Sequence, residues 1–113
     1  MQFRNECVAE LSVPASFIEQ YNKFEYPNDA TTQCYLKCVF GKFGLFDAQT
    51  GFNVPNIFIQ LGVTEGSEAA TNVKGCIDAN EQGSNACEWA YRGATCIIKQ
   101  NLPLVQQTVA GKA

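Results

Sequence analysis

Six cysteines, Cys7, Cys34, Cys38, Cys76, Cys87 and Cys96, are the reactive side chains of this sequence, and no histidine accompanies them. Thiols can hold a metal, cycle between redox states or form structural disulfides. Zinc sites favour closely spaced pairs such as Cys-x2-Cys, often completed by histidine. The tightest pair here is Cys34 and Cys38 in the stretch CYLKC, with three residues between them. An even number of cysteines in a 113-residue chain instead suggests three disulfides and secretion, in preference to buried cytosolic thiols. The missing histidine also removes the Ser-His and Cys-His nucleophile pairs and the usual pH switch. No catalysis, cofactor or metal is expected.

The composition sets the frame for those cysteines. At 113 residues and 46% hydrophobic content, residues 1–113 read as one domain with a real core. A net charge of −3 gives no reason to expect nucleic acid or an anionic membrane as partner. No apolar run approaches the roughly eighteen residues of a spanning helix, so no membrane insertion is expected. No signal-peptide pattern is read at the start, and Met1 reads as the initiator of a mature chain.

The pattern along the chain is helical, with Gly, Pro and Asn as punctuation. Phe3, Cys7, Val8 and Leu11 form a first amphipathic face that Pro14 interrupts. A second helix starts near YPND, with Asn28 or Asp29 as cap. It carries Leu36, Val39, Phe40 and Phe43 at i, i+3, i+4, i+7 and stops at Gly44. After a short piece around LFDAQTG, Val54, Ile57, Phe58 and Leu61 repeat the stripe between Pro55 and Gly62. Another helix starts at Ser67 and carries Val73, Cys76 and Ile77. Asn85 and Glu88 have the spacing of a capping box for the next, CEWAYRGATCIIKQ. The tail, with Leu102, Leu104, Val105 and Val109, is apolar enough to dock on the body. No segment alternates far enough for a strand. The fold class is all-α, about six helices stapled by three disulfides.

Helix geometry narrows the pairing. Cys87 and Cys96 are separated by about 900° of rotation and roughly 13 Å of rise, on opposite faces, so an intact helix forbids their bridge. Cys34 and Cys38 share a face with parallel Cβ directions, which disfavours a bridge between them. Fifteen connectivities are possible for six cysteines, and these two exclusions leave about ten.

The order Cys7, Cys34-x3-Cys38, Cys76, Cys87-x8-Cys96, with CYLKCVF and CEWAY around it, resembles the six-cysteine insect odorant-binding proteins of the pheromone and general odorant type. The adjacent cysteines of plant lipid-transfer proteins and the CCxxHxxC of secreted phospholipases are absent. The resemblance implies bridges Cys7–Cys38, Cys34–Cys87 and Cys76–Cys96, all within the geometrically allowed set. It also implies an internal apolar cavity for a small hydrophobic ligand (odorant, pheromone or fatty acid), a secreted location and a chemosensory receptor as partner. It says nothing of oligomeric state.

On that resemblance, the helix with Val54, Ile57, Phe58 and Leu61 and the preceding Leu45, Phe46 and Phe52 form one wall and the mouth. Val73, Ile77, Tyr91, Ala94 and Ile98 add further lining, and small Ala90 and Ala94 leave room for the ligand. Leu104 and Val105 of the tail cover the opening. Leu36, Val39, Phe40 and Phe43, beside two cystines, read as ordinary packing. Gln49, Thr50 and Asn53 read as turn residues, and Arg4, Lys23, Arg92 and Lys99 as solvated surface. Trp89 stands where family members usually carry a polar residue. The lining favours an elongated lipid over a compact polar volatile. In some family members acid rearranges the C-terminal segment and releases ligand, with histidines among the triggers; a chain without histidine is expected to bind evenly from pH 7.5 to about pH 5.5. The rival reading is a structural or defence protein with the same cystine frame, a filled core and a functional surface.

Overall fold

The computed structural model describes the backbone of residues 2–112 and the side chains of residues 2–108. Val109, read above as part of the docking tail, lies outside the described side chains. Among the described residues there are seven helices: α1 (Gln2–Leu11), α2 (Ala15–Asn22), α3 (Ala30–Lys42), α4 (Val54–Leu61), α5 (Glu68–Cys76), α6 (Ala86–Gln100) and α7 (Leu102–Lys112).

Local chemistry explains most boundaries. Side-chain oxygens accept from orphan backbone N–H groups at four starts: Asp29 from Thr31, Asn53 from Asn56, Ser67 from Ala70 and Asn85 from Glu88. Asn85 Nδ2 also donates to the Glu88 carboxylate at 3.2 Å, closing the box from the other side. Gly62 at φ +69° ends α4 in the left-handed conformation that a residue without Cβ adopts freely. Pro14 separates α1 from α2 and is the N-cap of the latter.

Three elements differ from the sequence reading. The tail forms a helix of its own, α7, which contacts α4 and α6 and turns Leu102 and Val105 toward the core. The piece after Gly44 is a minimal hairpin, β1 (Phe46–Asp47) and β2 (Gly51–Phe52), too short to show a strand period. Its turn is held by Asp47, which accepts from the N–H groups of Gln49 and Thr50. Helix α5 stops at Cys76 with Ile77 already extended, because the following loop has stronger partners on α6. There Arg92 donates to Asp78 at 2.7 Å, to Ser84 at 2.9 Å and to Asn80 at 3.0 Å, and Trp89 Nε1 donates to the Asp78 carbonyl.

Helix α3 packs along α6, with α1 against α3 and α5 against α6. The disulfides follow the same contacts: Cys7–Cys38 joins α1 to α3, Cys34–Cys87 joins α3 to α6, and Cys76–Cys96 joins α5 to α6. This is the connectivity that the family resemblance implies. The two cysteines of CYLKC therefore bond to different helices.

An aromatic cluster seats the hairpin on this frame. Phe52 lies edge-on to Phe46 at 4.8 Å and to Phe40 at 6.3 Å, and Phe46 meets Trp89 at 5.1 Å. The Phe52 ring rests directly on Gly93 of α6, where an added Cβ would overlap it. Gly93→Ala should lower stability by about 1–3 kcal/mol, the usual cost of overpacking a filled core. Phe52→Leu added to that variant should recover part of the loss. Urea midpoints of the three proteins check this; an unchanged midpoint for Gly93→Ala would show that the ring does not occupy the glycine's place.

Candidate functional site

Beside this packed cluster the interior is not completely filled. A cavity opens between α1, the loop joining α2 to α3, and helices α3, α4, α6 and α7. Helix α3 supplies Tyr35, Leu36, Val39, Phe40 and Phe43, which the 3.6-residue repeat places on one side. Opposite them stand Ile57, Gln60 and Leu61 of α4 and Ile97 and Ile98 of α6. Leu45, before the hairpin, and Val105 and Thr108 of α7 complete that wall. Arg4 enters from α1, and Phe24 and Tyr26 from the loop. Phe24 is held at φ +61°, a conformation that costs a residue with a Cβ about 1–2 kcal/mol.

The centre of a water-sized sphere can move through about 110 Å³ of this space. One water needs only about 10–15 Å³ by that measure, and an engineered apolar cavity of about 150 Å³ admits benzene. The space is therefore that of a single-ring or short-chain molecule. Its lining is overwhelmingly apolar, and its titratable groups are Arg4, Tyr26 and Tyr35. Burial, the largest influence, pushes the Tyr26 hydroxyl up to about 12 despite the nearby Arg4 guanidinium, so it stays neutral. Among the described residues, neither a carboxylate nor a thiol borders the cavity. Such a site can enclose a molecule and offer it hydrogen bonds; among the described residues it holds no acid–base pair and no activated nucleophile.

Helix α7 reaches the cavity through Val105 and Thr108, after the buried Asn101 ends α6 by donating from Nδ2 to the Ile97 carbonyl at 3.1 Å. The Thr108 hydroxyl donates to Leu104 O of its own helix at 2.9 Å and lies 3.3 Å from Gln60 O of α4. This contact lays α7 along the open side of α4.

Five residues read from the sequence as lining border this cavity: Leu45, Ile57, Leu61, Ile98 and Val105. The other nine stand away from it. Phe46 and Phe52 fill the aromatic cluster beneath the hairpin. Val54 packs at the start of α4, while Phe58 is turned toward α5, where Lys74 lies 5.9 Å from its ring centroid. Val73 and Ala94 are fully buried in the filled core. Ile77 caps α5, and Leu104 is half-buried on α7. Tyr91 uses its hydroxyl to donate to the Tyr26 carbonyl at 2.6 Å, tying α6 to the loop. The room that small residues leave on α6 is taken at Gly93 by Phe52 rather than by a ligand.

The sequence reading names Arg4 as solvated surface, whereas it lines the cavity, and it does not single out Phe24, Tyr26, Tyr35, Gln60, Ile97 or Thr108. It also took the α3 stripe as filled packing, whereas Leu36, Val39, Phe40 and Phe43 border the cavity. No short-range signal marks Arg4 or Thr108, which arrive from the two ends of the chain. Gln49 and Thr50 serve the hairpin turn and Asn53 caps α4. Trp89 is part-buried, braced between Phe46 and the Asp78 carbonyl, and its ring lies against Gly51.

A cystine-braced helical frame around an apolar hollow is the architecture of a small-molecule carrier. The chain belongs to the PBP/GOBP family, whose model matches residues 1–100, a family of non-catalytic carriers. General odorant-binding protein 99a of Drosophila melanogaster is 58% identical, across 100% of this chain and 82% of that protein. Odorant-binding protein 22 of Aedes aegypti is 43% identical, across 96% and 78%. Among solved structures, odorant-binding protein 22a of Anopheles gambiae with bound odorant cyclohexanone shares the fold, with a TM-score of 0.76 over 96% of both chains at 18% identity.

Val39→Phe should fill the cavity from the α3 side and weaken an apolar fluorescent probe about tenfold or more, a repacking penalty of about 1–3 kcal/mol. Val54→Phe, off the wall, should leave probe affinity within about twofold. Titrations of both variants decide between the two placements; the reverse order of effects would move the cavity toward the hairpin.

Proposed function

We propose that this protein is a secreted carrier that takes a compact, mostly apolar molecule out of water into the cavity beneath α3. The observation that carries this reading is the cavity itself: apolar on nearly every side, large enough for a ring, and without a catalytic group. Relatives named for odorants, and a fold neighbour solved with an odorant bound, support the same reading. Three disulfides are consistent with an extracellular setting. No helix among the described residues is long and apolar enough to cross a membrane.

Size selects the ligand class. Burying about seven CH₂ groups at about 0.8 kcal/mol each offers about 5–6 kcal/mol before ordering costs. A sixteen-carbon fatty acid offers more, but it exceeds the present volume and would have to displace part of the wall. The cavity thus favours a volatile-sized molecule over an elongated lipid. A receptor that reads the loaded carrier fits the same role. A protein acting only through its surface would have no use for this hollow.

A fluorescent apolar probe should bind saturably with one site per chain and be displaced by volatile ketones or short hydrocarbons. Binding that never saturates would sink the carrier reading.

The pH response follows from the charges. Asp78 has its pKa lowered, first by the hydrogen bond from Arg92 and then by the Asn80 N–H. A depressed carboxylate stabilises the fold above its unfolded pKa and loses that contribution only as pH falls through its folded value. The loop it anchors is therefore held down to below about pH 4. With no histidine in the chain and no carboxylate among the described residues at the cavity, probe affinity should be flat within about twofold from pH 7.5 to 5.5. Isotherms across this range check it, and a tenfold loss centred near pH 6.5 would contradict it.

A further inference from the structure

The Arg4–Tyr35 pair at the cavity is arranged with a definite polarity. Arg4 Nε lies 3.2 Å from Tyr35 Oη, and Arg4 Nη2 lies 3.1 Å from Asn22 Oδ1. A guanidinium has no acceptor, so Arg4 must donate in the first of these bonds and Tyr35 must accept. The Tyr35 hydroxyl proton is thereby left for another partner, and none of the described residues accepts it. Receiving a bond from a cation also polarises the hydroxyl and makes it a stronger donor.

Tyr26 adds a second donor of the same kind. Its hydroxyl has no hydrogen-bond partner among the described residues. Burial, foremost, keeps it protonated, as its pKa of about 12 shows. Both rings are fixed by stacking on Tyr21, at 4.3 Å for Tyr35 and 5.5 Å for Tyr26. Tyr21 is pinned in turn by a 2.7 Å hydrogen bond to Thr32. The donors are therefore held in place before any ligand arrives, which lowers the ordering cost of using them. Thr108 spends its proton on backbone carbonyls.

Resting on the carrier reading above, we propose that the preferred ligand is an apolar molecule with one carbonyl oxygen, a ketone, aldehyde or ester, which accepts from the Tyr35 hydroxyl with Tyr26 as second donor. A carbonyl oxygen has lone pairs and no proton, so it can accept from these hydroxyls and leaves no donor of its own unsatisfied. A hydrocarbon of the same shape gives neither hydroxyl proton an acceptor, a cost that falls on the complex. Tyr35 is thus a specificity residue, and Arg4 positions it.

The test compares 2-heptanone with its carbon isostere 2-methyl-1-heptene, by probe displacement from the wild type, Tyr35→Phe and Tyr26→Phe. Both substitutions keep the stacked ring, and melting temperatures confirm that the variants are folded. Tyr35→Phe should weaken 2-heptanone about three- to tenfold and change 2-methyl-1-heptene by less than twofold. Tyr26→Phe should show a smaller loss with the same selectivity. Equal effects on ketone and alkene would overturn the proposal while leaving the carrier intact. Failure of both compounds to displace the probe from the wild type would overturn the proposal together with the carrier reading beneath it. Should Tyr35→Phe not fold, loss of the ketone's advantage in Tyr26→Phe supports the proposal and its persistence overturns it.

Discussion

Everything in this interior depends on one helix holding two neighbours by covalent bonds. Cys34 and Cys38 leave the same face of α3, yet one is bonded to α6 and the other to α1. The chain separations bridged are 31, 53 and 20 residues. Each bridge is worth about 3–4 kcal/mol in the chain-entropy model. A void of about 110 Å³ costs about 3 kcal/mol at the rate found for engineered cavities. A single bridge can offset such a hollow, so the frame can keep it open where an unbraced bundle of this size would gain by closing it.

The same frame divides the core into a filled part and an open part. The dense part is aromatic: Phe52 seated on Gly93, with Phe46, Phe40 and Trp89 around it. Only glycine at position 93 lets a ring approach α6 that closely. The hairpin is drawn down onto the helices and leaves Leu45 at the cavity's edge. Phe40 belongs to both halves, touching Phe52 while bordering the cavity. The hollow is the part of the interior that this cluster does not reach.

That division explains what could be read in the sequence. Caps such as Asn53, Ser67 and Asn85 bond to N–H groups three residues away, so their meaning is local and visible. The helix stripes were visible too, since periodicity states which face turns inward. Periodicity does not state whether the inward space is filled. For that reason Leu36 and Val39 read as packing, while Phe58 and Val73 read as lining. Arg4, Phe52 and Thr108 depend on partners 31, 41 and 48 positions away (Tyr35, Gly93 and Gln60), and no local pattern encodes such meetings. The helical class and the stapled frame were legible, but the form of the tail was not, because its apolar residues announce docking without announcing a helix.

The cavity also sits at the boundary between two kinds of support. Its α1, α3 and α6 sides belong to the cystine frame, with α5 bonded behind. Helices α4 and α7 contain no cysteine and are joined to the rest by packing and by hydrogen bonds such as that from Thr108 to Gln60 O. Local opening occurs where few strong contacts must be broken. Parting α7 from α4 costs only non-covalent contacts, whereas parting α3 from α6 is forbidden while the bridge holds. The α4–α7 side is therefore the one that can part without breaking a covalent bond. The donors of Arg4, Tyr26 and Tyr35 come from α1, the loop before α3 and α3 itself, so opening that side leaves their arrangement undisturbed. The polar recognition is carried by the braced half and the freedom to part by the unbraced half, which lets one small domain be both preorganised and accessible.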